Sequence, residues 1–291
     1  MALQSRSFAD QVQLPEIGLG TWKYAGGVAP LRHGIERGAT LIDTAEAYGT
    51  EEVVGEAIRG LRDKVFLATK ISPHHFRRAD VKLAAENTLR RLGTGHIDLY
   101  QLHWPNLIVP LEETMTAMED LVNEGKVRFI GVSNFMVGEL RRAQAALTRA
   151  RIFSNQVRYS LIDRTIEGKL LEYCQQNQIA VIAFSPLGHG LDQIARRDPR
   201  GVLGRVAREA GKTPAQVALN WCLAPPGVVT IPKASSIERV GENCGASGWT
   251  LSEEHLEQLR RGIQYGRRGP LEMVLRRAAR YVFQRLGLEP A

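Results

Sequence analysis

The sequence predicts a single domain with the fold of a (β/α)8 barrel, in which eight parallel strands alternate with helices. Short apolar segments rich in β-branched residues alternate with longer segments of helical period along almost the whole chain. The length of 291 residues suits one large barrel, and no linker-like stretch argues for a second domain. An open doubly wound sheet is the structural alternative. Its usual GxGxxG motif is broken here at the last glycine, because residues 18–23 read GLGTWK.

The elements follow one another in the order that a barrel requires. The first residues, about 1–16, are expected to form a short cap, a hairpin that closes the barrel floor. The predicted strands are Ile17–Trp22, Ala39–Asp43, Val65–Lys70, Ile97–His103, Val127–Ser133, Phe153–Val157, Ile179–Phe184 and Val228–Pro232. The predicted helices lie near 51–60, 80–92, 111–124, 136–149, 165–177, 201–210, 214–223, 235–243 and 252–263. Some helix starts are marked locally, as at Thr213-Pro214, where threonine is a favoured N-cap and proline a favoured first helical residue.

Composition argues against several other classes of protein. Hydrophobic residues make up 44% of the chain and charged residues 24%, as in ordinary globular domains. No window approaches the ~18 uninterrupted apolar residues of a membrane-spanning helix, and the first residues lack the basic-then-apolar run of a secretory signal. The cysteines Cys174, Cys222 and Cys244 are widely spaced and suit neither a disulfide framework nor a metal clamp. We therefore expect a cytoplasmic monomer without a membrane partner.

Positive charge is concentrated at the C-terminal end. Of the net charge of +7, residues 265–291 contribute +4, because they hold six arginines and two glutamates. Apolar residues recur there at helical spacing, namely Leu271, Val274, Leu275, Ala278, Val282 and Leu286. We expect this basic amphipathic segment to dock by its apolar stripe on the barrel or on a neighbouring chain, rather than on a membrane. Nucleic-acid binding through its arginines is a weaker alternative, so no nucleic-acid partner is expected.

Chemically distinct side chains end three neighbouring predicted strands. Asp43, Lys70 and His103 stand at strand ends, and Tyr48 follows Asp43 in the next loop. Catalytic residues of barrels lie at the C-terminal ends of the strands. Each residue alone could be a helix cap, a solvated cation, a loop aromatic or a core histidine, but their convergence on one rim argues for a site.

This set of residues suits proton delivery by Tyr48. A free phenol has a pKa of about 10, which is high for an acid acting near neutrality. An ammonium about 4 Å away contributes roughly 4 kcal/mol at an effective dielectric near 20, equivalent to about 3 pKa units. Asp43 would keep Lys70 charged while weakening its pull on Tyr48, and His103 would orient a carbonyl oxygen.

The chain resembles the aldo-keto reductases over about residues 14–260, and most closely prokaryotic members such as the diketogulonate-reductase group. The matching motifs occur in the family's order: GLGTW at 18–22, LIDTAEAYG at 41–49, ATK at 68–70, DLYQLHWP at 98–105, GVSNF at 131–135, SNQ at 154–156, FSPLG at 184–188 and IPKASSIERVGEN at 231–243. Together these motifs are highly specific. The resemblance implies a barrel that binds NADPH without a dinucleotide-binding fold and reduces an aldehyde or ketone to an alcohol. It makes Asp43, Tyr48, Lys70 and His103 the catalytic tetrad.

The same resemblance implies a set of cofactor contacts. Ser133, Asn134 and Gln156 would hold the nicotinamide carboxamide, and Phe184 would replace the stacking tyrosine of the family. The other implied contacts are Thr21, Trp22 and Asp43, then Ser185, Leu187 and Gly188 along the pyrophosphate, Lys233, Ser235, Ser236 and Arg239 at the 2′-phosphate, and Glu242 and Asn243 at the adenine. Ala234 departs from the family, in which many members have a phosphate-contacting serine at this position.

We also have expectations for the substrate pocket, for metals and for an alternative to an enzyme. Trp22 and Trp104, with Tyr48 and His103, would wall the pocket for a small carbonyl substrate. No metal is expected, since His74 and His75 form no metal motif with residues nearby in the sequence. The alternative to an enzyme is a cofactor-bound regulatory protein of the same fold with little turnover.

Overall fold

The computed structural model of the protein describes residues 3–269, Glu272 and Leu275. Its strands are β1 (Ser5–Ser7), β2 (Gln13–Pro15), β3 (Leu19–Gly20), β4 (Leu41–Asp43), β5 (Phe66–Ile71), β6 (Ile97–Leu102), β7 (Val127–Ser133), β8 (Ile152–Arg158), β9 (Ala180–Phe184) and β10 (Val228–Thr230). Strands β3 to β10 form one sheet in chain order, and every neighbouring pair is parallel. The predicted (β/α)8 barrel is thereby confirmed.

Close backbone contacts join the two ends of this sheet. Ile17 and Thr230 form a parallel bridge, and the Gly18 N–H donates to the Thr230 carbonyl at 2.7 Å. A Cβ on Gly18 would lie 2.7 Å from the Leu41 carbonyl oxygen, and one on Gly20 would lie 2.6 Å from the Ile231 carbonyl oxygen. The glycines of the GLGTW motif therefore allow the backbones to approach where the barrel closes.

Helices follow the strands around the outside of the barrel. They are α1 (Val28–Glu36), α2 (Glu51–Ile58), α3 (Arg78–Leu92), α4 (Leu111–Asn123), α5 (Val137–Ala145), α6 (Lys169–Gln176), α7 (Leu191–Ala195), α8 (Val202–Glu209), α9 (Pro214–Leu223), α10 (Ile237–Cys244) and α11 (Glu253–Gly262). Among the described residues, none of these helices combines the length and the apolar character needed to cross a bilayer.

Helices α1 and α7 were absent from the sequence-based prediction. In α1, Pro30 lies in the first turn, where its missing N–H leaves no helical hydrogen bond unmade. Gly34 lies deeper in the same helix, where a Cβ would come within 2.7 Å of the Leu19 side chain. Proline and glycine, which usually argue against a helix, here serve close packing on the barrel. Helix α7 has only five residues, too few for a periodic pattern.

The N-terminal hairpin covers the end of the barrel at which the strands begin, which we call the lower end. Strands β1 and β2 pair antiparallel, and Leu14 of β2 is fully buried among inward-facing side chains such as Leu41, Leu99 and Val229. Arg6 of β1 pairs with Glu16. The barrel interior is thus sealed by apolar packing on this side.

The side chains that face the barrel interior are apolar near the start of the strands and polar near their C-terminal ends. In β5, Phe66 and Ala68 belong to the lower apolar cluster, and Lys70 follows on the same face two residues later. In β4, Asp43 follows Leu41 in the same way. The strand period therefore brings charged side chains into the upper interior, where the candidate site lies.

Most of the basic C-terminal segment predicted at 265–291 lies outside the described residues. This includes all of its positions from Pro270 onward except Glu272 and Leu275. The Leu275 side chain, which the sequence pattern places in the buried apolar stripe, is 61% exposed. The docking of this segment on the barrel or on a neighbouring chain stays a prediction.

Candidate active site

The four residues predicted at the strand ends form one contiguous cluster. Lys70 Nζ lies 2.5 Å from Asp43 Oδ1 and 4.8 Å from the centroid of the Tyr48 ring. The Tyr48 hydroxyl lies 3.3 Å from His103 Nε2. Tyr48 reaches the cluster from a short 3-10 turn, Glu46–Tyr48, which follows β4. An ammonium, a carboxylate, a phenol and an imidazole thus meet in one chain of contacts.

The Lys70–Asp43 ion pair lies in the barrel interior. The Lys70 side chain is fully buried and also donates to the Thr44 carbonyl at 2.9 Å. Burial by itself lowers the pKa of Lys70, but attraction to the Asp43 carboxylate and to the Tyr48 phenol outweighs it, so the pKa lies above its ordinary value. Lys70 therefore stays an ammonium while it faces Tyr48.

Two glutamine side chains complete the hydrogen bonding of Asp43. Its Oδ2 accepts from Gln156 Nε2 at 2.7 Å and from Gln101 Nε2 at 3.3 Å. Sequence reasoning missed Gln101, although a signal was present. Gln101 is a polar residue inside the apolar strand β6, two positions before His103 and therefore on the same inward face.

Tyr48 and His103 meet edge to face. Their ring centroids are 5.4 Å apart, with planes at 77°. The backbone N–H of His103 donates to the Ile71 carbonyl at 3.0 Å, and the backbone carbonyl of His103 accepts from Asn134 Nδ2 at 3.4 Å. These two hydrogen bonds fix the His103 backbone, and the imidazole Nε2 faces the Tyr48 hydroxyl.

Polar side chains at the ends of β7 and β8 are linked to this cluster. Ser133 Oγ donates to the Gln156 carbonyl, and Asn134 Nδ2 donates to Ser133 Oγ, each at 2.9 Å. Asn134 has a φ of 64°, in the left-handed region that asparagine tolerates better than most residues. The predicted carboxamide-holding residues Ser133, Asn134 and Gln156 therefore do lie together.

Three aromatic side chains that were predicted to contact cofactor or substrate, those of Trp22, Trp104 and Phe184, are half-buried. Trp104 is half-buried, with its ring 6.3 Å from that of His103 and nearly parallel to it. Trp22 is also half-buried and meets His189 edge-on at 5.6 Å. Phe184, at the end of β9, has the Arg158 guanidinium 5.7 Å from its ring centroid.

The loop after β9 has an unusual backbone. Ser185 and His189 have φ values of 49° and 72°, and Gly188 has a φ of 65°. A Cβ on Gly188 would lie 2.7 Å from Ile162 Cδ1, so this position requires glycine. Leu187 in the same loop is half-buried. Such strained backbone is concentrated at binding sites in proteins.

The residues predicted to contact the 2′-phosphate surround the start of α10. Lys233 and Arg239 are exposed, and neither side chain forms an ion pair with another residue in the described part of the chain. Ser236 caps the helix by accepting from the Arg239 N–H at 3.4 Å, and Ser235 Oγ accepts from the Ala25 N–H at 3.4 Å. Cations and a helix N-terminus at one place favour an anion.

The predicted adenine contacts lie further along the same helix. Asn243 is buried, whereas Glu242 is half-buried and accepts through its carbonyl from Gln216 Nε2 at 3.1 Å. Thr21, at the other end of the predicted cofactor path, is fully buried and donates through Oγ1 to the Asp43 carbonyl at 3.0 Å.

Comparison with known proteins shows the family to which the chain belongs. The family model described as "Aldo/keto reductase family" matches residues 16–263. Methylglyoxal reductase YeaE of Escherichia coli is 41% identical over 263 residues, which cover 87% of this chain and 92% of YeaE.

The chain belongs to the aldo/keto reductase family.

Solved structures of this family superpose closely on the barrel. An aldo/keto reductase from Klebsiella pneumoniae, in complex with NADP and acetate, is 44% identical with a TM-score of 0.80, and the match covers 92% of this chain and 98% of that one. The thermostable aldo-keto reductase Tm1743, in complex with the inhibitor epalrestat, is 40% identical with a TM-score of 0.82, covering 89% of this chain and 99% of that one. The family resemblance stated from the sequence motifs is confirmed.

Proposed function

We propose that this aldo/keto reductase reduces a small aldehyde or ketone to an alcohol with NADPH, and that Tyr48 delivers the proton. The observation that carries the proposal is the contact chain from Asp43 through Lys70 and Tyr48 to His103. Two comparisons support it, namely the bound NADP in the Klebsiella structure and the methylglyoxal reductase activity in the name of YeaE.

The geometry explains how Tyr48 can act as an acid. Donating its proton leaves a phenolate, which the nearby Lys70 ammonium stabilises across the 4.8 Å between Nζ and the ring. Asp43 keeps that ammonium charged in a buried position where it would otherwise lose its proton. His103 Nε2, beside the Tyr48 hydroxyl, can orient the substrate oxygen at the same point.

The residues along the barrel mouth fit a dinucleotide phosphate. Bound NADPH supplies the hydride, which goes to the carbonyl carbon. Ser133, Asn134 and Gln156 form a group of amide and hydroxyl side chains that suits the nicotinamide carboxamide, and Phe184 offers a flat ring beside it. Lys233 and Arg239, the exposed cations at the start of α10, suit the 2′-phosphate.

The remaining contacts line the path between these two ends. Thr21 and Trp22 lie near the nicotinamide end, and the loop after β9 supplies contacts from Ser185, Leu187 and Gly188. Ser235 and Ser236 add hydroxyls at the phosphate, where the family serine is replaced by alanine, and Glu242 and Asn243 face the adenine. The walls of the substrate pocket are Trp22, Tyr48, His103 and Trp104.

We also propose the compartment, the oligomeric state and the partners of the protein. We take it to be a cytoplasmic monomer whose partner is a small carbonyl compound, with no nucleic-acid or membrane partner. Cys174, Cys222 and Cys244 are free and buried, and burial raises the pKa of the Cys174 thiol to about 12. Unpaired, protonated thiols agree with a reducing compartment.

Turnover distinguishes this function from its alternative, a cofactor-bound regulatory protein. The test follows NADPH absorbance while the purified protein meets methylglyoxal and a panel of other reactive aldehydes. We expect multiple turnovers with at least one of them and formation of the corresponding alcohol. Tight NADPH binding with no turnover on any aldehyde would favour the regulatory alternative.

A further inference from the structure

Three metal-ligating side chains lie together outside the cluster just described. Glu46 belongs to the same 3-10 turn as Tyr48, whereas His74 and His75 lie in another 3-10 turn, Pro73–His75, after β5. One ligand atom from each lies within 4.8 Å of the other two. No metal motif of the sequence indicates this group, because Glu46 and His75 lie 29 positions apart.

We propose that Glu46, His74 and His75 bind a divalent transition-metal ion, with Zn²⁺ as the best match. Two imidazoles and one carboxylate are ligands that zinc takes readily, and a fourth position is left for water. Magnesium and calcium are poor candidates, because they prefer sets made wholly of oxygen ligands.

The carboxylate is already oriented for this role. Glu46 Oε1 accepts from the Ser72 backbone N–H and lies 3.0 Å from His75 Nδ1. Two ligands on one tetrahedral zinc ion, with bonds of about 2.1 Å, lie about 3.4 Å apart. Glu46 and His75 thus have nearly the spacing that the ion needs, and a ligand atom of the exposed His74 side chain lies within 4.8 Å of those of both.

An ion at this position would connect the two turns. One of them carries Tyr48, so metal binding would hold the backbone beside the proposed proton donor. The site uses none of the residues assigned to cofactor or substrate, and its test does not depend on turnover.

The experiment is a calorimetric titration of the full-length, metal-free protein with zinc chloride in a non-chelating buffer. We expect one Zn²⁺ per chain, with an affinity at least tenfold lower in His74→Gln. The matched control is His255→Gln. His255 Nε2 lies 3.2 Å from a Glu209 carboxylate oxygen but belongs to no three-ligand group in the described part of the chain. This control variant should bind zinc like the wild type.

Thermal unfolding gives an independent measurement. Zinc should raise the unfolding midpoint of the wild type and of His255→Gln, because binding to the folded state stabilises it. Zinc should leave the unfolding midpoint of His74→Gln unchanged. The proposal is overturned if the wild type binds no zinc, or if His74→Gln binds as tightly as the wild type. An equal loss of affinity in His74→Gln and His255→Gln would overturn it as well.

Discussion

At the scale of single residues, the buried charge of Lys70 shapes the site. Its side chain has no contact with solvent, and it is compensated by Asp43 and by the Thr44 carbonyl. Asp43 in turn accepts from Gln101 and Gln156. A buried ion pair with this degree of hydrogen bonding tolerates the loss of both charges much better than the loss of one.

Lys70→Met should therefore lower the free energy of unfolding by about 3–5 kcal/mol, because it leaves the Asp43 carboxylate buried without its cation. The double variant Asp43→Asn with Lys70→Met should recover most of that loss in chemical denaturation. Neither variant should reduce aldehydes, since Tyr48 loses its ammonium in both. If the double variant were as unstable as the single one, charge compensation would not explain the stability of this pair.

The exposed cations around α10 give a second prediction at this scale. Lys233→Ala or Arg239→Ala should weaken NADPH binding about 10- to 150-fold, equivalent to roughly 1.5–3 kcal/mol for a charge-assisted contact. NADH binding should change little, since NADH lacks the 2′-phosphate. Arg200→Ala, another exposed arginine, is the control and should affect neither cofactor. Equal losses for NADPH and NADH would show that these side chains do not contact the 2′-phosphate.

At the scale of elements, a single carboxylate ties helix α4 to the loop before β8. Glu119 accepts from the Thr148 hydroxyl and from the backbone N–H groups of Thr148, Arg149 and Ala150, all within 3.2 Å. Burial by itself raises the pKa of Glu119, but these donors together lower it to about 2. The ionised carboxylate is thus a clamp between two elements.

Because the pKa of Glu119 is lower in the folded state, its stabilising effect is present above the ordinary value of 4.5 and is lost as pH falls toward about 2. Glu119→Gln should destabilise the protein by roughly 1–3 kcal/mol at pH 7. The difference from wild type should shrink between pH 4.5 and pH 2. The exposed Glu52→Gln should show no such convergence. A difference that stayed constant with pH would contradict the clamp.

Only some of these elements and site residues can be recognised from the sequence. Asp43, Lys70 and His103 could be recognised because each is a polar residue that ends an apolar run, and strand ends of a barrel meet at one rim. Helix α1 could not be recognised, because it contains Pro30 and Gly34. Proline and glycine usually argue against a helix, and only the tertiary packing of α1 explains them. Contacts between distant segments, such as Glu46 with His75, leave no local pattern at all.

At the scale of the whole molecule, the N-terminal hairpin and the charged cluster lie at opposite ends of the barrel. The lower end is closed by the hairpin, whose Leu14 is fully buried in the interior cluster. The upper end holds the charged cluster of Asp43, Tyr48, Lys70 and His103. Substitutions at the lower end should therefore change unfolding without changing the reaction.

Leu14→Ala should lower the free energy of unfolding by about 2–5 kcal/mol, as expected for a large-to-small substitution in a packed core. The turnover number, measured well below the unfolding temperature, should stay within about twofold of wild type. Leu83→Ala is the control, because the Leu83 side chain is 57% exposed and should change stability by less than about 0.5 kcal/mol. A selective loss of turnover in Leu14→Ala would contradict this division.

If Tyr48 gives its proton to the carbonyl oxygen, the turnover number of Tyr48→Phe at saturating NADPH should fall by about 10²–10⁴-fold, the usual contribution of a general acid. Its NADPH affinity and unfolding temperature should stay close to those of the wild type. Tyr173→Phe, on helix α6 away from the cluster, should leave turnover unchanged. Near wild-type turnover in Tyr48→Phe would show that another group supplies the proton.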